Sequence, residues 1–317
     1  MQLTEQQRSA DEALLRLGRR LKADGYQFIC VTPLTQQRHL ERAEGALARS
    51  LRDVFGWNQR FSPDLLSPDE LTLMQAAAIV ERHGSELRST VRFSTLGQLL
   101  LLHSGYPTDA TDAVFFGPDS YRFAQLIEAH LRRDSNPVNH AIEIGSGTGV
   151  GALLIAAACP NAQVTAVDIN PLAVRYTAIN AALAELATVS VEHSDVLNGV
   201  IGTFDLIVAN PPYMLDAEER TYRHGGGLLG EALSLRIVNE ALPRLAVHGS
   251  LLLYTGVAII EGQDPLLTAL NRLLVSSEWA WHYSEVDPDV FGEQLTEPGY
   301  GQAERIAAVA LTVQRRP

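Results

Sequence analysis

The sequence predicts an α/β protein, a doubly wound and mostly parallel sheet of seven strands preceded by a smaller, mainly α-helical domain. Three observations carry this. After Asn136, short apolar runs alternate with helical stretches, the pattern of parallel strands joined by crossover helices. The last two runs, 280–286 and 305–313, follow one another with no helix between them, which predicts an antiparallel pair at the sheet edge. Before residue 108, apolar positions recur instead at helical spacing.

Taken in order, Leu14, Leu15, Leu17 and Leu21 predict a helix over 4–22, and the pattern returns over 34–54 and 71–80. Pro68-Asp69-Glu70 reads as a helix start, Gly84 as a stop, and 26–31 as one short strand. Gly105, Pro107, Gly117 and Pro118 mark 104–120 as a linker, so the boundary falls near residue 108, with a recognition module over 1–107 and a catalytic domain over 108–317. Five strands are then expected at 140–144, 163–168, 189–193, 204–209 and 250–255, separated by helices at 149–159, 171–186, 231–245 and 264–275.

Composition sets outer bounds. With 317 residues, 46% of them hydrophobic and 20% charged, the chain can bury a sizeable core. No apolar stretch approaches the roughly 20 residues of a membrane helix. The start is polar, and the two cysteines, Cys30 and Cys159, cannot make a disulfide framework, so a cytoplasmic location with no membrane partner is expected. The net charge of −12 is uneven: 13 basic against 12 acidic residues up to Pro107, then 12 against 25. A body at −13 repels a nucleic-acid backbone.

The chemistry is carried by two motifs. Glu143-Ile144-Gly145-Ser146-Gly147-Thr148-Gly149 ends a buried strand in a glycine-rich turn that opens a helix, where backbone can approach a ligand closely. The next strand ends in Asp168 and Ile169, and a carboxylate 23 residues after Gly145 is placed to meet ribose hydroxyls. The dinucleotide pattern G-x-G-x-x-G/A fails from Gly145, since Val150 holds its last place, and matches only from Gly147 through Gly149 and Ala152. The second motif, Asn210-Pro211-Pro212-Tyr213, directly follows the predicted strand 204–209.

Glu143 to Gly149 resembles the S-adenosylmethionine (SAM) loop of class I methyltransferases, whose sheet is Rossmann-like, and NPPY resembles the motif of enzymes that methylate amino and amide nitrogens, release-factor glutamine methyltransferases among them. The resemblance covers roughly residues 115–313 and implies SAM as cofactor, with Glu143, Gly145, Gly147, Gly149, Asp168 and Ile169 around it. It gives Asp195, with Val196, the adenine amino group, although an aspartate at a strand end read alone is a cap. Phe116-Gly117-Pro118-Asp119-Ser120 resembles the P-D-T-E segment, which brings Asp119 and Tyr121 to the methionine end of the cofactor, though Gly117 stands where that family has arginine.

The chemical reason for NPPY is a weak nucleophile. An amide or arylamine lone pair is delocalised and must be aimed in line at the sulfonium methyl. The Asn210 side-chain oxygen and the Pro211 carbonyl can each accept one N–H, Tyr213 can stack on a planar acceptor, and the prolines keep the backbone rigid. Pro212, Arg223 and His224 are the expected substrate contacts. The loop 220–230 departs from the release-factor pattern, reading R-T-Y-R-H-G-G-G-L-L-G. Its triple glycine suits a close turn or a helix entry. His224-Gly225-Gly226-Gly227 is similar to a lipase oxyanion string, but G-x-S-x-G is absent, so a hydrolase is excluded. Neither H-E-x-x-H nor paired Cys/His spacing appears, so no metal is expected. The segment 287–300 reads as a solvated acidic loop or as a wall of the substrate pocket.

The sequence is thus read as a SAM-dependent N-methyltransferase acting most readily on a protein amide or amine. The alternatives are a small-molecule acceptor, attack within SAM itself releasing methylthioadenosine, and then an RNA or DNA base, placed last by the acidic body.

Overall fold

A computed structural model describes residues 4–42, 46–215, 222–227 and 230–317. The chain begins with α1 (Glu5–Ala23), whose first turn is closed by a capping box between Thr4 and Gln7 and whose apolar stripe buries Leu14, Leu17 and Leu21. α2 (Pro33–Arg42), α3 (Leu51–Phe55) and α4 (Pro68–Ala76) follow, the last started by Pro68 and a Ser67–Glu70 capping box.

Two hairpins then occupy residues 80–104, a stretch of the N-terminal segment that the sequence reading took to be mainly helical. β1 (Val80–His83) pairs with β2 (Glu86–Ser89), and β3 (Val91–Leu96) with β4 (Leu99–Ser104). Gly84 and Gly97, at φ of +66° and +56°, make the turns, so Gly84 is a hairpin residue and not a helix stop. The expected helix over 71–80 ends at Ala76, that over 34–54 is broken into α2 and α3, and 26–31 forms no strand. Phe28 nevertheless accepts from both the backbone N–H and the hydroxyl of Thr95, which ties this segment to β3.

The rest is the expected α/β unit: α5 (Pro118–Arg133), β5 (His140–Ile144), α6 (Val150–Ala158), β6 (Gln163–Asp168), α7 (Pro171–Leu183), β7 (Val189–His193), β8 (Phe204–Ala209), α8 (Ala232–Ala241), β9 (Leu245–Ile259), α9 (Pro265–Leu273), β10 (Trp279–Asp287) and β11 (Arg305–Arg315). The seven-stranded sheet runs β10-β11-β9-β8-β5-β6-β7. β11 is antiparallel to both of its neighbours, and the other pairs are parallel. The order reverses between β5, which turns out toward β6, and β8, which lies on its other side. Loops leaving the carboxyl ends of β5 and β8 therefore diverge and leave a crevice between them.

Apolar clusters cover both faces of the sheet. A third joins the N-terminal helices and hairpins to α7, whose Ala173, Tyr176, Ile179 and Leu183 are all buried in it. Asn180, on the same helix and fully buried, exchanges hydrogen bonds with both backbone groups of Leu102 on β4 and donates a further one to the Thr148 carbonyl in the glycine turn. No helix among the described residues is long and apolar enough to cross a membrane.

Candidate active site at the carboxyl ends of the strands

The crevice holds a cavity of about 630 Å³. Its floor is the glycine turn after β5. Gly145 and Gly147 have φ of +70° and +53°, and a Cβ on either would meet no protein atom within 4 Å, so a side chain there would enter the cavity itself. Gly149 is different. It caps α6 at φ +83°, a Cβ on it would strike Thr177, and it is absent from the cavity wall, so its glycine serves packing and not the ligand.

The two acids of the turn are committed to backbone. Glu143 lies under the turn, its carboxylate accepting the N–H groups of Gly151 and Ala152 at 2.7 and 2.9 Å. Burial pushes its pKa up to about 8 in spite of those donors. Asp168 accepts from Gly147 and Asn170 at 2.8 Å each, so it holds the turn to the end of β6; burial raises it too, opposed by these N–H bonds. Each Asp168 oxygen keeps lone-pair capacity beyond these single bonds. Beside it Ile169 lines the cavity although half exposed, an apolar surface suited to a purine ring. Val196, at φ +53°, also lines the cavity; Asp195 does too, but its carboxylate is gripped by both Arg236 terminal nitrogens at 2.7 and 2.9 Å, which lowers its pKa. An exocyclic amino group would have to share that carboxylate with Arg236.

Opposite stands the turn after β8. Asn210 is half-buried, lines the cavity, and its carboxamide has no hydrogen-bonding partner among the described residues. Tyr213 is buried against the Gly256 backbone, where a Cβ would overlap its ring, and it donates its hydroxyl to Asp119 at 2.6 Å. Asp119, expected at the methionine end of a cofactor, lines the cavity, and its carboxylate accepts from Tyr213 and Tyr254. Tyr121 is a plain correction. It is absent from the cavity wall, and its hydroxyl donates to Thr95 and accepts from the Cys30 N–H, fastening the N-terminal segment to α5.

Pro212, Arg223 and His224 line the cavity. Met214 forms an isolated bridge with His224, and its N–H donates to the Arg223 carbonyl, which lays this loop along the NPPY turn. The contact is close because Gly225 lies against the backbone of Gly230 and Tyr213, and Gly230 against that of Tyr213, where a Cβ would overlap main-chain atoms. Residues 220–221 and 228–229 of that loop lie outside the described residues.

Sequence reading missed part of the wall. Tyr106, Pro107 and Thr108, at the end of the N-terminal segment, face the cavity, as does Pro33 at the start of α2. Tyr222 stacks on Phe115 at 5.8 Å and donates to the Thr108 carbonyl at 2.6 Å, and all three line the cavity. Phe291, from the 287–300 segment, also lines it, so that segment contributes a wall. Nothing in the spacing of these residues marked them, because three separate loops bring them together.

A glycine turn under open space, a carboxylate at the next strand end and an unpartnered carboxamide across the cavity fit adenosine and methionine in one extended ligand. Fold and site together define a class I methyltransferase architecture. Residues 122–259, somewhat less than half of the chain, match the family model described as "Methyltransferase small domain". The chain is 35% identical over 187 residues to release factor glutamine methyltransferase of Deinococcus radiodurans, covering 56% of this chain and 63% of that one. It is 32% identical over 158 residues to tRNA1(Val) (adenine(37)-N6)-methyltransferase of Vibrio campbellii, covering 47% and 61%. Both matches span less than two thirds of the relative. A solved structure from Pyrococcus horikoshii superposes with a TM-score of 0.50 over 89% of this chain and 99% of that one, a likeness of fold alone at 13% identity.

Proposed function

We propose that the protein is a SAM-dependent N-methyltransferase that moves the methyl group directly to an amide or amine nitrogen, most favourably of a protein. The observation that carries this is Asn210, a half-buried carboxamide without a protein partner at the end of β8, facing the glycine turn across the cavity. A buried polar group is normally paired, and one left open toward a cavity is available to a ligand. Its oxygen and the Pro211 carbonyl would accept the two N–H groups of a planar nitrogen and favour the positive charge that builds there.

When bound, SAM supplies an electrophilic methyl on a sulfonium sulfur. The chain's part is to hold adenosine between Ile169 and Val196, to take ribose hydroxyls on Asp168, and to let Gly145 and Gly147 admit the methionine end. Phe115, Tyr222 and Phe291 would exclude water around the acceptor. The order of acceptors, protein before nucleic acid, is supported by the relative that methylates release factors and by the acidic charge of residues 108–317. The relative that methylates adenine in tRNA supports the nearest competing reading.

The test is transfer of label from methyl-labelled SAM into a fractionated cell extract. Label is expected in protein, and Asn210→Ala should cut its rate about 100-fold or more while SAM binding stays within about 3-fold. Label in tRNA would move the assignment to the base; label in small molecules, or methylthioadenosine as product, would move it to a metabolite or to SAM itself.

A further inference from the structure

We propose that Asp119 is a positioning residue for the NPPY turn: its carboxylate anchors Tyr213 and thereby aims the Asn210 carboxamide and the Pro211 carbonyl at the acceptor nitrogen. This rests on the methyltransferase reading above.

Asp119 is the second residue of α5 and is buried. Its Oδ2 accepts from the Tyr213 hydroxyl at 2.6 Å, and its Oδ1 from the Tyr254 hydroxyl at 2.8 Å and from Arg122 Nη1 at 3.2 Å. The other terminal nitrogen of Arg122 donates to Asp287, the last residue of β10, at 2.7 Å. One carboxylate therefore ties together α5, the turn after β8, the middle of β9 and the start of the loop carrying Phe291. The Tyr213 ring is buried. It lies on the Gly256 backbone, with the Phe291 ring edge-on at 6.1 Å.

Between Asn210 and Tyr213 stand two prolines, each with φ fixed near −65°. Few soft torsions separate the anchored tyrosine from the asparagine, so fixing one end of the turn sets the direction of the other. In-line transfer to a delocalised nitrogen needs this, since a misplacement of about 1 Å can cost about 100-fold in rate.

The experiment uses the full chain and the variants Asp119→Ala, Asp119→Asn and Tyr213→Phe, with the Asp119→Ala/Tyr213→Phe double. SAM affinity is read by calorimetry, and the rate at saturating SAM by label transfer into the active extract fraction. Asp119→Ala and Tyr213→Phe are each expected to lower the rate about 10- to 100-fold with SAM affinity within about 3-fold, and the double to be no slower than the slower single. Asp119→Asn should recover part of the rate, since its amide oxygen can still accept from Tyr213. Tyr213→Phe keeps the ring packing and removes only the hydroxyl, so it decides the matter even where Asp119→Ala does not fold.

Wild-type rate in Tyr213→Phe, losses that multiply in the double, or SAM affinity lowered tenfold by Asp119→Asn and untouched by Tyr213→Phe would each overturn the proposal. A wild-type chain that binds no SAM and transfers no label overturns the methyltransferase reading, and this one with it; a wild-type chain that does both leaves the variants to judge Asp119 alone.

Discussion

Glu143 lines the cavity and also holds the glycine turn from below. Its carboxylate accepts two N–H groups from the first turn of α6, a seat that a helix N-terminus offers to any anion. Burial, aided by the neighbouring Asp168 charge and opposed by the two N–H bonds, still raises its pKa from 4.5 to about 8. The folded chain therefore keeps a proton that the unfolded chain releases. Stability from this group is complete below about pH 4.5, falls as pH rises, and levels off above about 8. Glu143→Gln stays neutral throughout, so its stability relative to wild type should improve between about pH 5 and about pH 8, read by urea unfolding at both. A constant difference would show that Glu143 does not titrate in this window. A cation in the cavity should pull the proton off, and binding of the sulfonium at pH 7 is expected to release protons, seen as a dependence of calorimetric heat on buffer ionisation enthalpy.

At the scale of elements, α7 does two jobs at once, and Asn180 is where they meet. It bonds β4 through both backbone groups of Leu102 and bonds the glycine turn through Thr148. Asn180→Ala would leave these buried groups unpaired, a loss of about 3 kcal/mol that urea unfolding would read, together with weaker SAM affinity because the turn loses a support. Stability changed by less than about 0.5 kcal/mol would show that water replaces the amide. The same elements explain what the sequence made legible. The strands of the large sheet are short apolar runs bounded by turn residues, and their predicted limits match the structure except at β9, β10 and β11, which run longer: β9 is extended toward Ile259 by pairing with β11 and begins at Leu245 beside β8, and the ends of β10 and β11 pair with each other. The glycine turn and NPPY were legible since their chemistry is local in sequence. β4 was not: Leu99 to Leu102 is a leucine run buried on both sides, without the alternation that marks a strand. Asp119 and Tyr121 were both assigned by proximity in sequence to a motif, but successive residues of a helix point in different directions, and the packing puts Asp119 on the cavity wall and Tyr121 away from it.

At the scale of the whole molecule, the question is whether residues 1–107 form a detachable recognition module. The packing argues that they are also part of the catalytic body. Leu14, Leu17 and Phe93 share one buried cluster with Tyr176, Ile179 and Leu183 of α7, and Tyr106 and Pro107 wall the cavity. Removing the segment would expose that face of α7, take away the backbone groups that Asn180 bonds on β4, and open one side of the site. Residues 108–317 expressed alone are therefore expected to aggregate or to unfold without a sharp transition, and to bind SAM at least tenfold more weakly than the full chain, as circular dichroism and calorimetry would read. Exposed apolar surface of this kind destabilises at about 25 cal/mol per Å², so four side chains on α7 suffice to remove much of a domain's ordinary margin. A cooperative transition and unchanged SAM affinity in 108–317 would instead make the segment an independent module, and would leave acceptor recognition as its only role. In the first case a change in acceptor choice would have to be sought at the cavity rim, around Tyr106, Thr108 and Tyr222; in the second, on the outer surface of α1 and α2.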